Sequence, residues 1–190
     1  KKCQLEYREG YFNDAIKTAT SGMEFAKCNG QLYFYRGLAE LNSGQLVSAG
    51  KDFWTADKQC GISDKEKNLL RHLSDSCINL ANTMAQQNQW ASAVLEFSRS
   101  LTIDTSDYAL YKRAECYLAM NRSDSAISDL DKLAARNQLY RNVYSKRGLA
   151  YSRLGKFEKA NKDFETAVRQ FPDDTSAFYY KGWSEINQKN

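Results

Sequence analysis

A recurring turn limits what this chain can become. Gly or Asn stands at Gly10, Gly44, Asn88, Asn121 and Gly155, in steps of 34, 44, 33 and 34. These two residue types enter left-handed backbone most readily, so each position marks a place where a helix can stop. A second residue class keeps the same steps. Alanine recurs at Ala15, Ala49, Ala93, Ala126 and Ala160, where two helices cross and their backbones come too close for a larger side chain. Four residues further on stands a large apolar wedge, Phe53, Phe97, Leu130 or Phe164, with Ala19 a departure in the first copy. Two independent classes agreeing on one period imply stacked copies of a helix pair.

The best-formed copy runs from Arg141 to Pro172. Tyr144, Gly148 and Tyr151 mark one face of its first helix, and Ala160, Phe164 and Ala167 one face of its second. Leu154-Gly155-Lys156 breaks the two apart and Pro172 closes the unit. This pattern closely resembles the tetratricopeptide repeat. The resemblance implies an all-α fold, a right-handed superhelical solenoid of antiparallel helix pairs with about five repeats plus a terminal helix. The repeats are expected as a single array over 1–190, at 1–29 (partial), 30–63, 64–106, 107–140 and 141–174, with the terminal helix at 175–190. Glu40 departs from the pattern, standing where the family carries Tyr.

The one irregular step, 44, exceeds 34 by 10. The surplus falls near Ser63-Asp64-Lys65-Glu66, which reads as a capping box. From Asp64 to Gln87 there is neither Gly nor Pro. The spacing predicts one long first helix there, about three turns longer than the others.

Hydrophobic content of 42% and charged content of 26% are ordinary for a soluble protein, and no long apolar run predicts a membrane-spanning helix. Nothing reads as a signal peptide. A start at Lys1-Lys2 without Met and an end on a lone helix read as a piece of a longer protein. Cys3, Cys28, Cys60, Cys77 and Cys116 are odd in number and form no C-x-x-C, and His72 is the only histidine. No metal site or other cofactor is therefore expected, and the cysteines read as free thiols of a reducing, cytoplasmic compartment. No set of nucleophile, base and orienting group is found, so the chain reads as non-enzymatic.

In the resembled family the first helices line a concave groove that takes an extended peptide or a partner's helix. One or two steps around each helix from the packing positions, the expected lining includes Phe34, Tyr35, Asn79, Asn82, Tyr108, Tyr111, Lys112, Asn142, Lys146, Arg153, Tyr179 and Trp183. Aromatic side chains interleaved with Lys and Arg suit a protein or peptide partner that is acidic or aromatic. Some family members grip the carboxylate end of a chaperone tail with a Lys/Asn, Asn, Lys/Arg set. In register, this chain matches it only at Asn79 in one window and at Asn82 in another, where Lys146 replaces the Arg, which speaks against that clamp. From Lys132 to Lys162 nine basic residues face one acid, Glu158, favouring an acidic partner. These basic residues are spread over both faces, which speaks against nucleic acid. The reading is an interaction scaffold; the alternative is a co-chaperone-like holder of unfolded chains.

Overall fold

Each of the five predicted turns is left-handed. Backbone φ is +83° at Gly10, +78° at Gly44, +59° at Asn88, +57° at Asn121 and +70° at Gly155. The residue after each turn donates its N–H to the carbonyl five residues back: Tyr11 to Glu6, Gln45 to Glu40, Gln89 to Met84, Arg122 to Tyr117 and Lys156 to Tyr151, at 2.8–2.9 Å. That bond ends a helix cleanly by satisfying a carbonyl left free at its last turn. The computed structural model describes residues 1–26, 28–136, 142–173 and 175–188, with side chains to residue 186. The expected repeat boundary at 140–141 lies outside them, as does Arg141.

The elements are α1 (Lys2–Arg8), α2 (Phe12–Phe25), α3 (Gly30–Asn42), α4 (Leu46–Trp54), a π-helical segment (Thr55–Cys60), α5 (Asp64–Gln86), α6 (Trp90–Ile103), α7 (Asp107–Ala119), α8 (Ser123–Ala135), α9 (Val143–Arg153), α10 (Phe157–Gln170) and α11 (Thr175–Gln188). The fold is all-α, built of antiparallel helix pairs. The surplus of ten residues sits in α5, which has 23 residues where α7 has 13. It is one unbroken helix, opened by the expected capping box: Ser63 donates its backbone N–H to Glu66 Oε2 at 2.8 Å, and Glu66 N–H reaches back to Ser63 Oγ at 3.4 Å.

The chain falls into two compact units, Lys1–Leu80 with Ser98–Thr105, and Ala81–Phe97 with Ser106–Asn190. In the first, Phe34, Leu38, Leu41, Ala49, Phe53, Ala56 and Leu70 form one core cluster, and Cys3, Ala15, Ala19 and Ala39 a second. In the second unit the crossing alanines Ala93, Ala126 and Ala160 are fully buried, as are the wedges Phe97, Leu130 and Phe164. A Cβ placed on Gly148 would stand 2.6 Å from the Phe164 ring, and one on Gly37 2.8 Å from Phe53. At these two positions only glycine lets the phenylalanine wedge seat this closely against the first helix of its own pair.

A device that the sequence reading passed over recurs within three pairs. Arg36, Arg113 and Arg147 on the first helices each grip an aspartate sixteen residues on, Asp52, Asp129 and Asp163, through Nε and Nη2 at 2.6–2.8 Å. The three aspartates are 2–5% exposed. Arg36 and Arg147 also reach the preceding pair, at Thr20 Oγ1 (3.1 Å) and Asp131 Oδ1 (2.8 Å).

Glu40, the departure noted above, lies buried beside one of these grips. Its Oε1 is 4.0 Å from Arg36 Nε and its buried Oε2 has no hydrogen-bond partner. Burial, then repulsion from Asp52, push its carboxyl up to about 7, against the pull of Arg36. An unfolded Glu ionises near 4.3, so the folded state holds the extra proton between these values and loses stability as pH rises through the interval. Glu40→Gln is therefore expected to stabilise the protein by roughly 2–3 kcal/mol above pH 7, a gain that vanishes near pH 4.5. Urea unfolding of both proteins at pH 5 and pH 8 measures it; a difference independent of pH would contradict the burial of an awkward carboxylate.

The five cysteines are not all free thiols. Cys28 and Cys60 form a disulfide with Cα atoms 5.1 Å apart, while Cys3, Cys77 and Cys116 are free and buried. The free-thiol expectation, and the cytoplasmic location argued from it, took the odd count as evidence against pairing, but an odd count leaves any one pair open.

Candidate functional site

Adjacent positions on a first helix differ by about 100° around its axis, so one step decides between core and groove. Three residues before Gly37 and Gly148, the small residues of two first helices, the side chain points inward, Phe34 and Ser145 both being 0% exposed, whereas Ile78 and Tyr111, three before Ala81 and Ala114, are half-buried. Phe34, expected in the groove, is thus a core residue, with its ring edge-on to Tyr35 at 5.1 Å. The position two before is the half-open one, held by Tyr35, Asn79, Lys112 and Lys146. Tyr35, half-buried, and Asn79, exposed, belong to the first unit.

In the second unit, five of the expected residues converge on α7 and the start of α9. Lys146 Nζ stands 5.6 Å from the centre of the Tyr111 ring; Lys112 Nζ is 6.0 Å from the Tyr111 and Tyr108 rings alike. The quadrupole of each ring holds the cation in place. Asn142 hydrogen-bonds Tyr111, whose hydroxyl is pushed up chiefly by burial. Between the two ammonium groups lies Glu115, 2.8 Å from each. These lysines hold its carboxyl below the usual range although burial acts the other way.

Beside this cluster opens a cleft of about 360 Å³, lined by Asn82, Gln86, Trp90, Tyr108, Lys112 and Glu115, with Phe97 and Cys116 among the buried residues of its wall. Tyr108 donates its hydroxyl to Asn82 Oδ1 at 3.2 Å. The arrangement presents cations on aromatic faces next to an amphipathic cleft, which suits a carboxylate followed by an apolar side chain.

The remaining expected residues stand elsewhere. Arg153 donates to the Leu118 carbonyl at 2.6 Å and to Asn121 Oδ1 at 3.3 Å, so it ties down the end of α7. Tyr179, 69% exposed, and Trp183, 38% exposed, lie on α11 with Ile186. Trp90 and Gln86 were missed as lining residues. Trp90 follows a turn glycine-equivalent, where an apolar residue reads as packing, and only its tertiary position brings it to the cleft.

The basic run also changes meaning. Arg147 is matched by Asp131 and Asp163, each one residue beyond an end of the stretch counted in sequence. Lys146 pairs with Glu115, Lys156 with Asp124 and Arg136 with Asp107. Much of the apparent charge excess is therefore neutralised within the fold.

Residues 142–174 and 108–137 each match a family model described as a tetratricopeptide repeat. Among curated proteins the chain is similar to the DnaJ homolog subfamily C member 3 of Gallus gallus, 30% identical over 117 residues. That match takes in 61% of this chain and 22% of the relative, so the chain spans about a fifth of that protein's length. Among solved structures it resembles the first tetratricopeptide domain of Spaghetti (RPAP3) bound to the HSP90 peptide SRMEEVD, with a TM-score of 0.58 and 22% identity over 63% of this chain and 95% of that one. It also resembles YrrB, described as having an unusual peptide-binding site, with a TM-score of 0.55 and 16% identity over 95% and 88% of the two chains. No helix among the described residues is long and apolar enough to cross a membrane.

Proposed function

We propose that this protein, a member of the tetratricopeptide-repeat family, is a non-catalytic scaffold that holds an extended acidic segment of a partner protein against α7 and α9. The observation that carries the reading is the pair Lys112 and Lys146, each set on tyrosine rings beside the cleft. Cations fixed in this way recognise carboxylates, while Trp90 and Tyr108 offer contact area at low entropy cost. The HSP90 peptide held by the similar structure has the same character, two glutamates followed by an apolar residue. The Cys28–Cys60 disulfide favours an oxidising compartment over the cytoplasm.

A peptide-display selection on the native protein, counter-selected on Tyr111→Ala/Lys146→Ala, tests this. Acidic peptides that lose binding to the double variant, and that weaken at about 0.5 M salt, are expected. Apolar peptides indifferent to salt would instead favour a holder of unfolded chains, and peptides that bind both proteins alike would place the site elsewhere.

A further inference from the structure

Glu115 sits where a partner's carboxylate would have to go. Its Oε1 is 2.8 Å from Lys146 Nζ and its Oε2 is 2.8 Å from Lys112 Nζ, so one carboxylate bridges cations on two helices, α7 and α9. This is the geometry by which an external carboxylate would be bound. The bridge is reachable: the side chains of Glu115, Lys112 and Lys146 are 30%, 36% and 22% exposed, and Lys112 and Glu115 line the cleft. The start and the core packing of α7 are supplied by other residues. The helix is opened by Ser106, whose Oγ accepts from Ala109 N–H, and its core contacts come from Leu110, Ala114 and Leu118.

We propose that Glu115 is a built-in competitor for the two-lysine seat, and that it sets which acidic segments bind. The inference rests on the peptide-binding reading above. An incoming carboxylate replaces Glu115 on one or both lysines, and Glu115 turns out to solvent. Trading one carboxylate for another in the same seat yields little. A segment with a single acid therefore gains almost nothing, whereas one with two neighbouring acids, or with an acid and an apolar side chain for the cleft, has surplus contacts to offset the exchange. Glu115 thus acts as a specificity-determining residue, a threshold against weakly acidic chains, and the surroundings without it carry two positive charges in place of a net one.

Fluorescence anisotropy with labelled SRMEEVD, and with SRMQQVN as a neutral control, tests the idea on the native chain, Glu115→Gln and Glu115→Ala. Both variants are expected to bind SRMEEVD about tenfold more tightly than the native protein, with a steeper salt dependence and no gain for SRMQQVN. Adding Lys146→Met to Glu115→Gln should abolish the gain. Thermal unfolding of each variant confirms folding, and the alanine form serves if the glutamine form is unstable. Equal or weaker binding by the variants, with binding still lost on Lys146→Met, overturns the competitor role and leaves the groove reading standing. Failure of every form to bind SRMEEVD more tightly than SRMQQVN overturns both.

Discussion

Arg147→Met is expected to cost the protein about 3 kcal/mol or more of stability. The guanidinium meets Asp163 through two parallel bonds of 2.7 Å, and Asp163 is 5% exposed. Removing the cation leaves a carboxylate that is buried and deprived of its principal partner, which is far costlier than losing a surface pair. The arm from Arg147 to Asp131 adds little, because Asp131 is half exposed. A second substitution separates the two contributions. In Arg147→Met/Asp163→Leu both charges are gone, and most of the lost stability should return, since well-packed apolar groups replace a buried pair at small cost. Urea midpoints of the native protein, Arg147→Met, Asp163→Leu and the double variant complete the cycle. A loss below about 1 kcal/mol for the single variant would mean that water reaches Asp163 and that the grip is ornamental. The same logic applies to Arg113 and Asp129, the most deeply buried of the three aspartates.

These grips explain what was and was not legible in the chain. The left-handed turns at Gly10, Gly44, Asn88, Asn121 and Gly155 were legible because a positive φ is a local demand that few residues meet. The long α5 was legible for a similar reason, since a helix start at Ser63 and the lack of Gly or Pro after it are local signals. The Arg–Asp grips were not, because a separation of sixteen residues means nothing until an antiparallel pair brings its two helices face to face. That same blindness made the stretch from Lys132 to Lys162 look more basic than it is, with Asp131 and Asp163 just outside it. In the groove, the error was angular. Phe34 and Tyr35 are neighbours in sequence, yet one is core and the other half-open. Lys112 and Lys146 hold the half-open position that helix geometry marks in sequence, while Trp90 lies on α6, a second helix, and reaches the cleft only through the tertiary fold.

Reduction of the Cys28–Cys60 disulfide is expected to lower stability by about 3–4 kcal/mol, or a midpoint fall of roughly 10 °C for a chain of this size. The two cysteines are 32 residues apart, and closing a loop of that length removes much of the freedom of the unfolded chain. The native geometry offers little to offset this. Cys28 precedes α3 and Cys60 ends the π-helical segment, and the backbones just beyond them already touch: a Cβ on Gly30 would lie 2.0 Å from the Gly61 carbonyl oxygen. The bond thus clips two turns that the fold brings together on its own, and the reduced protein should keep its helices while melting earlier. The other thiols do not confuse the measurement. Cys3, Cys77 and Cys116 are buried, with burial pushing the Cys116 thiol up to about 11 and raising Cys3 as well, so they react slowly in the native state. Calorimetry with and without reductant, alongside Cys28→Ser, reads the stability, and alkylation in denaturant should modify three cysteines before reduction and five after. Five modified before reduction, or an unchanged midpoint once the bond is broken, would remove the clip from the account of how α3 is held.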